Sequence, residues 1–467
     1  MTPVFPARLA ACLFGTAALA GVGVPAAAQA PGGVGLLPSQ QEAQPNVPPP
    51  LAPAFQENLF GDWGGVRTYL SNLGINVTLD YTTETAGNIS GGLRQGATYA
   101  DQRGLQIDMD WEKIAGIPGF STHFAAVNRA GRNLSGAFIG DNVIQAQEIW
   151  GAAFGMVVHG VWFYGEQKLF NGRVDAVLGR VFPGMDFAAS PLYCNFMTLT
   201  ICGHPRGLTA EQGFIDWPSN TWGGRVRVRP TPDTYVMSGI YASQPFPSGG
   251  ISGFDWSTNK ITGTVYATEV AWEPVFAPDR LPGHYKAGVA YDTTNFPDNF
   301  YDVFQTPYVL SGLPPRQDHS RTQIWVTFDQ LLFRNGPLPN NGLTLLGAYV
   351  HDTPRNSLYQ SFVWAGLLYS GFWRRRPADQ VGLGITYYQI SPSLSQTQSL
   401  EQAFDLPPSY PYGVQNHAMV FELNYQIAAY RGIIIQPEFE FFLRPGGVSP
   451  SRVPNAAVLG LKTHVNF

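Results

Sequence analysis

The chain is short of charge, and outside a broken N-terminal stretch it has no run of about eighteen consecutive apolar residues, the length a spanning helix needs. Acidic and basic residues make up 13% of its 467 residues, against about 25% in a soluble domain. The first shortage implies that much of the surface faces something other than water. The second excludes a bundle of membrane-spanning helices. Enzyme signatures are missing as well: there is no G-x-S-x-G, H-E-x-x-H, P-loop or paired C-x-x-C. The 8 histidines are scattered without ligand spacing, so neither a metal nor another cofactor is expected. A net charge of −5, with no basic tract interleaved with aromatics, excludes a nucleic-acid partner. The expectation is a protein that is not an enzyme.

Glycine (52) and aromatic residues (13%) are abundant, and mean hydropathy is near zero at −0.07. A membrane protein without a hydropathy peak is what a transmembrane barrel looks like, because lipid-facing and lumen-facing residues alternate and cancel. The last ten residues, "VLGLKTHVNF", show that alternation. Leu459, Leu461, Thr463 and Val465 fall on one face, and Val458, Gly460, Lys462, His464 and Asn466 on the other.

Residues 1–30 read as an export signal, with Arg8 in the basic region, an apolar stretch from Leu9 to Val24, and Ala28-Gln29-Ala30 at the cut. The lipobox-like "LAAC" ending at Cys12 is the competing reading, and it is badly placed because the apolar core follows it. In an oxidising compartment the remaining cysteines, Cys194 and Cys202, are expected to staple a loop. His204 alone is too little for a metal site. Residues 31–55 are rich in proline and glutamine and read as a periplasmic linker. Residues 56–467 read as the barrel. Ahead of its first strand lies one short helix, with Asp62 as N-cap, Val66, Tyr69, Leu70 and Leu73 on one face, and Gly74 as its stop.

Sixteen strands are predicted, near 76–89, 101–114, 119–131, 156–170, 172–182, 222–230, 233–243 and 261–274, then 283–294, 319–333, 341–352, 357–371, 378–390, 416–429, 432–444 and 455–467. Short connections such as "FNGR", "RPTPDT", "WRRRPAD" and "AAYRG" alternate with long ones. A barrel with turns at one end and large loops at the other explains this, and a sandwich or propeller does not. The fold class is therefore all-β: a transmembrane antiparallel barrel of about 16 strands in the outer membrane.

Several stretches then resemble the carbohydrate-selective outer-membrane porins, the OprB family. They include "GDWGGVRTYLSNLGI", "DMDWEKIAGIPG", "VNRAGRNLSG", "FNGRVDAVLGRVFPGMDF", "YCNFMTLTICG" and "IIIQPEFEFFLRPGG", in an order covering nearly all of residues 60–467. The resemblance implies inward-folded loops that narrow a pore, and passive uptake of sugars, glucose-like ones in particular; polyols and sugar acids fit the same description. It places Arg129, in "NRAG", at the constriction and matches Cys194 and Cys202 to the family's cysteine pair. It also likens Phe467 to the terminal signal read by barrel-assembly machinery. The Pro-rich 31–55 segment and the late loops depart from the family pattern.

A sugar pore needs hydrogen-bonding walls rather than catalysis. By parity Asp80, Glu84 and Asn88 point inward from the first strand and Asp108 and Asp110 from the second, facing Arg129. Arg225 and Arg227 form an inward ladder that raises the positive potential of the lumen. Each of these has a plainer reading as a wall-stabilising salt bridge. Arg229 is expected at the rim, and Arg374, Arg375 and Arg376 as structural caps in a turn. Trp150, Trp162, Trp222, Trp272, Trp325, Trp364 and Trp373 are expected as girdle or packing residues. Two other readings stand beside the pore: a barrel plugged by its loops that docks a periplasmic partner, and an outer-membrane hydrolase. Expected surroundings are small sugars and outer-membrane lipid, with the protein either a monomer or a homotrimer.

Overall fold

The computed structural model describes residues 58–149, 158–210, 213–245, 252–338 and 341–467. The expected export signal and linker lie outside the described residues. The first eight barrel strands are β1 (Ile75–Ser90), β2 (Gly96–Asp110), β3 (Phe120–Gly131), β4 (Val158–Leu169), β5 (Val174–Val181), β6 (Thr221–Thr231), β7 (Thr234–Ser243) and β8 (Gly263–Trp272). The second eight are β9 (Leu281–Asp292), β10 (Arg321–Arg334), β11 (Gly342–Asp352), β12 (Tyr359–Ser370), β13 (Gln380–Ile390), β14 (His417–Tyr430), β15 (Ile433–Leu443) and β16 (Ala456–Asn466). Each pairs antiparallel with its neighbour, and a two-residue strand, Val275–Phe276, extends the β9 rim. β1 pairs with β2 on one side and β16 on the other, Tyr81 lying opposite both Arg103 and Val465. The sheet is thereby closed, which leaves no unpaired edge for a membrane to solvate. Among the described residues no helix is long and apolar enough to cross a membrane.

The sixteen expected strands are present, with ends shifted by a few residues. The long connections hold more order than expected. Residues 293–320 contain an antiparallel pair, Phe296–Asp302 with Pro315–Asp318. The connection after β13 contains a helix, Pro392–Ala403, whose Ser391 hydroxyl accepts from Leu394 N and whose first position is proline. The N-terminal helix runs over Val66–Asn72 and ends before Gly74, which has φ 87°. Asp62 receives Thr68 N at 2.8 Å, and Val66, Tyr69 and Leu73 remain exposed.

Alternation sorts the side chains as the sequence implied. Leu178, Val226, Ile240, Val270, Val326, Leu423 and Leu459 are exposed on the outside, while Arg225, Glu269, Gln323, Glu422 and Lys462 are buried within. The tryptophans divide by the same parity. Trp222, Trp272 and Trp373 are exposed, whereas Trp162, Trp325 and Trp364 are buried; Trp150 lies outside the described residues. At the seam Phe467 N donates to Leu79 O at 3.0 Å, its ring stacks on Phe60 at 5.7 Å, and its carbonyl accepts from Arg67.

One stretch of the outer wall breaks the pattern. Arg103, the central residue of β2, and Asp101 share a face with Tyr81 and Leu79, because cross-strand partners point the same way. Arg103 lies over the Tyr81 ring at 5.5 Å and pairs with Asp101 at 3.1 Å.

Candidate functional site

Two connections fold into the barrel. Residues 182–220, between β5 and β6, are held there by aromatic side chains. Phe187 and Phe214 pack edge-on against Trp325 at 6.3 and 5.6 Å. Phe196 meets Trp364 at 5.1 Å, and Trp217 meets Trp162 at 5.2 Å. Cys194 and Cys202 are disulfide-bonded within it. The strands supply acceptors for its backbone donors. Glu269 receives Ala188 N at 2.8 Å together with Trp325 Nε1 and Tyr235 OH, both at 2.7 Å. Glu422 receives Met197 N at 2.8 Å and Thr198 N at 3.2 Å. Each carboxylate thus meets a backbone that would otherwise be buried without partners.

The second connection, after β3, reaches the opposite side. Glu84 accepts from Ile149 N at 2.7 Å, and Gln147 accepts from Thr98 Oγ1 and Leu134 N at 2.9 Å. Asp141 takes Val143 N and Ile144 N at 2.8 Å and Tyr388 OH at 3.0 Å, and its burial holds the carboxyl above the ordinary carboxylate range. The two connections bond to each other through Glu148 N to Met197 O and Leu199 N to Gln145 O, at 2.8 and 2.9 Å.

Arg129 stands where they meet and has no exposed surface. Its Nε donates to Gln102 at 2.8 Å and its Nη2 to Glu148 at 2.9 Å, while Nη1 has no partner among the described residues. Glu84 is also paired with Lys462 at 3.5 Å. Asp80 faces inward opposite Gly104, where any Cβ would collide with its carboxylate. The other expected residues lie apart from this junction. Asn88 donates to the carbonyls of Gly91, Arg94 and Phe138 and shapes a loop. Asp108 binds His123 at 2.6 Å. Asp110 caps the short helix Trp111–Ala115 and is not turned to Arg129.

Arg225 and Arg227 do face inward, but their charge is matched. Arg225 reaches Asp175 at 2.7 Å, Asp186 at 3.1 Å and Glu166 at 3.7 Å, and Arg227 reaches Asp175 at 2.7 Å. The two inward arginines therefore sit in a buried ion cluster. Arg229 pairs with Glu273 at 2.8 Å, and Arg376 with Asp379 in its turn at 2.5 Å.

A closed sixteen-strand barrel narrowed from within by two loops has relatives among known proteins. The description "Carbohydrate-selective porin, OprB family" matches residues 94–467. The chain belongs to this family. It is 32% identical to Porin B of Pseudomonas aeruginosa over 89% of this chain and 93% of that one. It is 26% identical to a putative porin, QuiX, of Acinetobacter baylyi, over 88% of this chain and 93% of that one. Its structure is similar to the high-pH structure of Pseudomonas putida OprB, with a TM-score of 0.82 and 30% identity, covering 88% of this chain and all of that one. As a member of the family it is a sugar-uptake channel of the outer membrane rather than an enzyme.

Several groups of this porin's interior went unread in the sequence. Glu166, Asp175, Glu269 and Glu422 sit at inward positions that strand parity alone would have picked out. Glu148 and Asp186 come from the loops, where no period points to them. Glu438 and Glu440 stand on β15 beside Glu422, Glu440 directly opposite it and buried. They belong to "QPEFEFF", whose inward positions alternate with aromatic ones.

Proposed function

We propose that this porin passes neutral sugars of monosaccharide size, with polyols as close competitors. The narrow station is the junction where Arg129, Glu148, Glu84 and Lys462 meet the inward loops. Glu148, held by the buried Arg129 guanidinium and itself partly open, offers an acceptor to sugar hydroxyls, which take the place of water without the solute being held tightly. The observation that carries this reading is the meeting of the two inward loops at the Arg129–Glu148 pair, with the carboxylate its more open member. The charge matching around Arg225 favours neutral over acidic solutes, because no unpaired cation remains there to attract them. Sugar acids are accordingly expected to pass more slowly.

Liposome swelling across glucose, a polyol and a sugar acid tests this, with Arg129→Ala beside wild type. The variant should pass all three solutes at similar rates, and unchanged discrimination would remove Arg129 from the station. Planar-bilayer recordings should show steady conductance partly blocked by sugar, whereas silence would favour the plugged-barrel reading. For assembly, we infer that Phe467 serves as the mark recognised by the barrel-assembly machinery. Its replacement by serine should lower the inserted fraction while leaving the conductance of inserted barrels intact.

A further inference from the structure

The fold accounts for only one of the consecutive arginines in the β12–β13 turn, Arg374, Arg375 and Arg376. Arg376 is a cap. Its Nε and Nη2 bind Asp379 at 2.5 and 3.0 Å, and Nη2 also donates to Ala428 O at 3.0 Å. Asp379 in turn accepts from Tyr425 OH at 2.6 Å and from Ala428 N at 3.1 Å. One carboxylate thus locks this turn to the end of β14, and through it to the β14–β15 turn at Arg431. Arg374 and Arg375 take no part: both are exposed, with no hydrogen bond or ion pair among the described residues. Arg431 is exposed too, its guanidinium over the Tyr430 ring at 6.0 Å. Across residues 371–379 and 428–432 four arginines stand against a single acid, Asp379, and Arg376 uses it up.

The aromatic side chains beside these cations show which way the turn faces. Tyr369 and Tyr425 are the cross-strand neighbours of Val381, on the outward face that exposes Leu383 and Leu423. Phe372 packs on both tyrosines, at 5.6 and 6.2 Å, and Trp373 and Tyr430 are exposed. The turn therefore continues the lipid-facing wall. Short turns of such a barrel lie at its periplasmic end, level with the headgroups of the inner leaflet. Aromatic rings seat in that layer. Unpaired arginines next to it attract anionic headgroups, and the guanidinium fork matches two oxygens of one phosphate.

We propose that the joined β12–β13 and β14–β15 turns form a docking ledge for an anionic phospholipid of the periplasmic leaflet. Arg374, Arg375 and Arg431 face its phosphodiester, and Phe372 and Trp373 receive the upper part of its acyl chains. The occupant is a lipid and not a free anion, because the cations adjoin a wall that hydrocarbon already covers. The inference rests on the outer-membrane placement of the barrel and is independent of what the pore carries.

The test is native mass spectrometry of the full-length porin released from nanodiscs of equal parts phosphatidylglycerol and phosphatidylethanolamine. Wild type should retain phosphatidylglycerol over phosphatidylethanolamine by at least about fivefold. Arg374→Gln combined with Arg375→Gln and Arg431→Gln should bring the two lipids to parity. Arg173→Gln, in the turn before β5, should keep the wild-type ratio, and excess inorganic phosphate should not displace the lipid. Equal retention by wild type, a triple variant that keeps the preference, an Arg173→Gln variant that loses it, or displacement by phosphate would each overturn the ledge. If the triple variant does not insert, Arg374→Gln with Arg375→Gln, which breaks no bond to the barrel, takes its place. A fall of about threefold in the ratio is then expected, and an unchanged ratio would overturn the proposal. Glucose swelling should stay at the wild-type rate throughout, and a swelling defect with the lipid preference intact would count against the pore reading alone.

Discussion

The two halves of the cylinder grip the same inward loop by different chemistry. Around β8–β13 the grip is mostly aromatic, with Glu269 and Lys286 bonding the loop backbone beside it: Trp325 and Trp364 receive Phe187, Phe214 and Phe196 edge to face. Around β1–β6 and β14–β16 it is mostly ionic and hydrogen-bonded, with Trp162 on Trp217 as the aromatic contact, through Arg225 to Asp186, Glu422 to the Met197 amide, and Lys462 to the carbonyl of Phe196 at 3.3 Å. Dispersion contacts hold position through shape and tolerate small shifts. Buried charges hold it through exact partners, and they fail badly when one partner is lost. The ionic half is thus expected to set which solutes pass, and the aromatic half to keep the loop in place.

The largest effect is expected at Arg225→Met, which strips the shared cation from Asp175, Asp186 and Glu166. Removing one member of such a buried cluster costs about 3–5 kcal/mol, seen as a lower temperature for the folded-to-unfolded gel shift. If the shift is below a degree, the ionic grip is not holding the loop. Next comes Trp364→Ala, at about 3 kcal/mol for deletion of a buried aromatic. Here single-channel current should become noisier while sugar selectivity persists, and altered selectivity would erase the division between the halves. Replacing Cys194 and Cys202 by serine releases a short closed loop, worth about 2–3 kcal/mol, and should expose the 182–220 segment to protease.

The smallest effect concerns pH. The Asp141 carboxyl titrates above its unfolded value because it is buried. Its folded form therefore keeps a proton that the unfolded chain would already have released. The sign follows from linkage: seating of the β3–β4 loop is firmest in acid and weakens as pH rises from the ordinary carboxylate range through the folded pKa. Asp141→Asn should flatten that part of a protease-susceptibility profile, and a profile identical to wild type would contradict it.

The barrel was legible in the chain because lipid outside and polar groups inside impose a period of two on every strand. Val226 and Val228 against Arg225 and Arg227 is that rule in four residues. The alternation of tight and long connections then ordered the strands. The interior was legible only in part. Parity placed Glu84 and Arg225 within, but it could not show that Asp186, far back along the chain in a loop, would neutralise Arg225. Nor did it foresee that Asp110 ends its strand by capping a helix. Loop residues such as Glu148 follow no period, since their positions are set by the wall they meet and not by their neighbours in sequence. The outward Asp101–Arg103 pair was also missed, because in "YADQRG" both faces carry polar groups and the alternation falls silent.

Trp217 of the inward loop donates to Gln102 on β2 at 2.9 Å, while Ala188 and Met197 of the same loop are bonded to Glu269 on β8 and Glu422 on β14. A segment fastened at three places around a ring acts as a tie-rod. It should resist flattening when the surrounding bilayer is stretched or thickened, so that the bore keeps its gauge while the membrane around it changes.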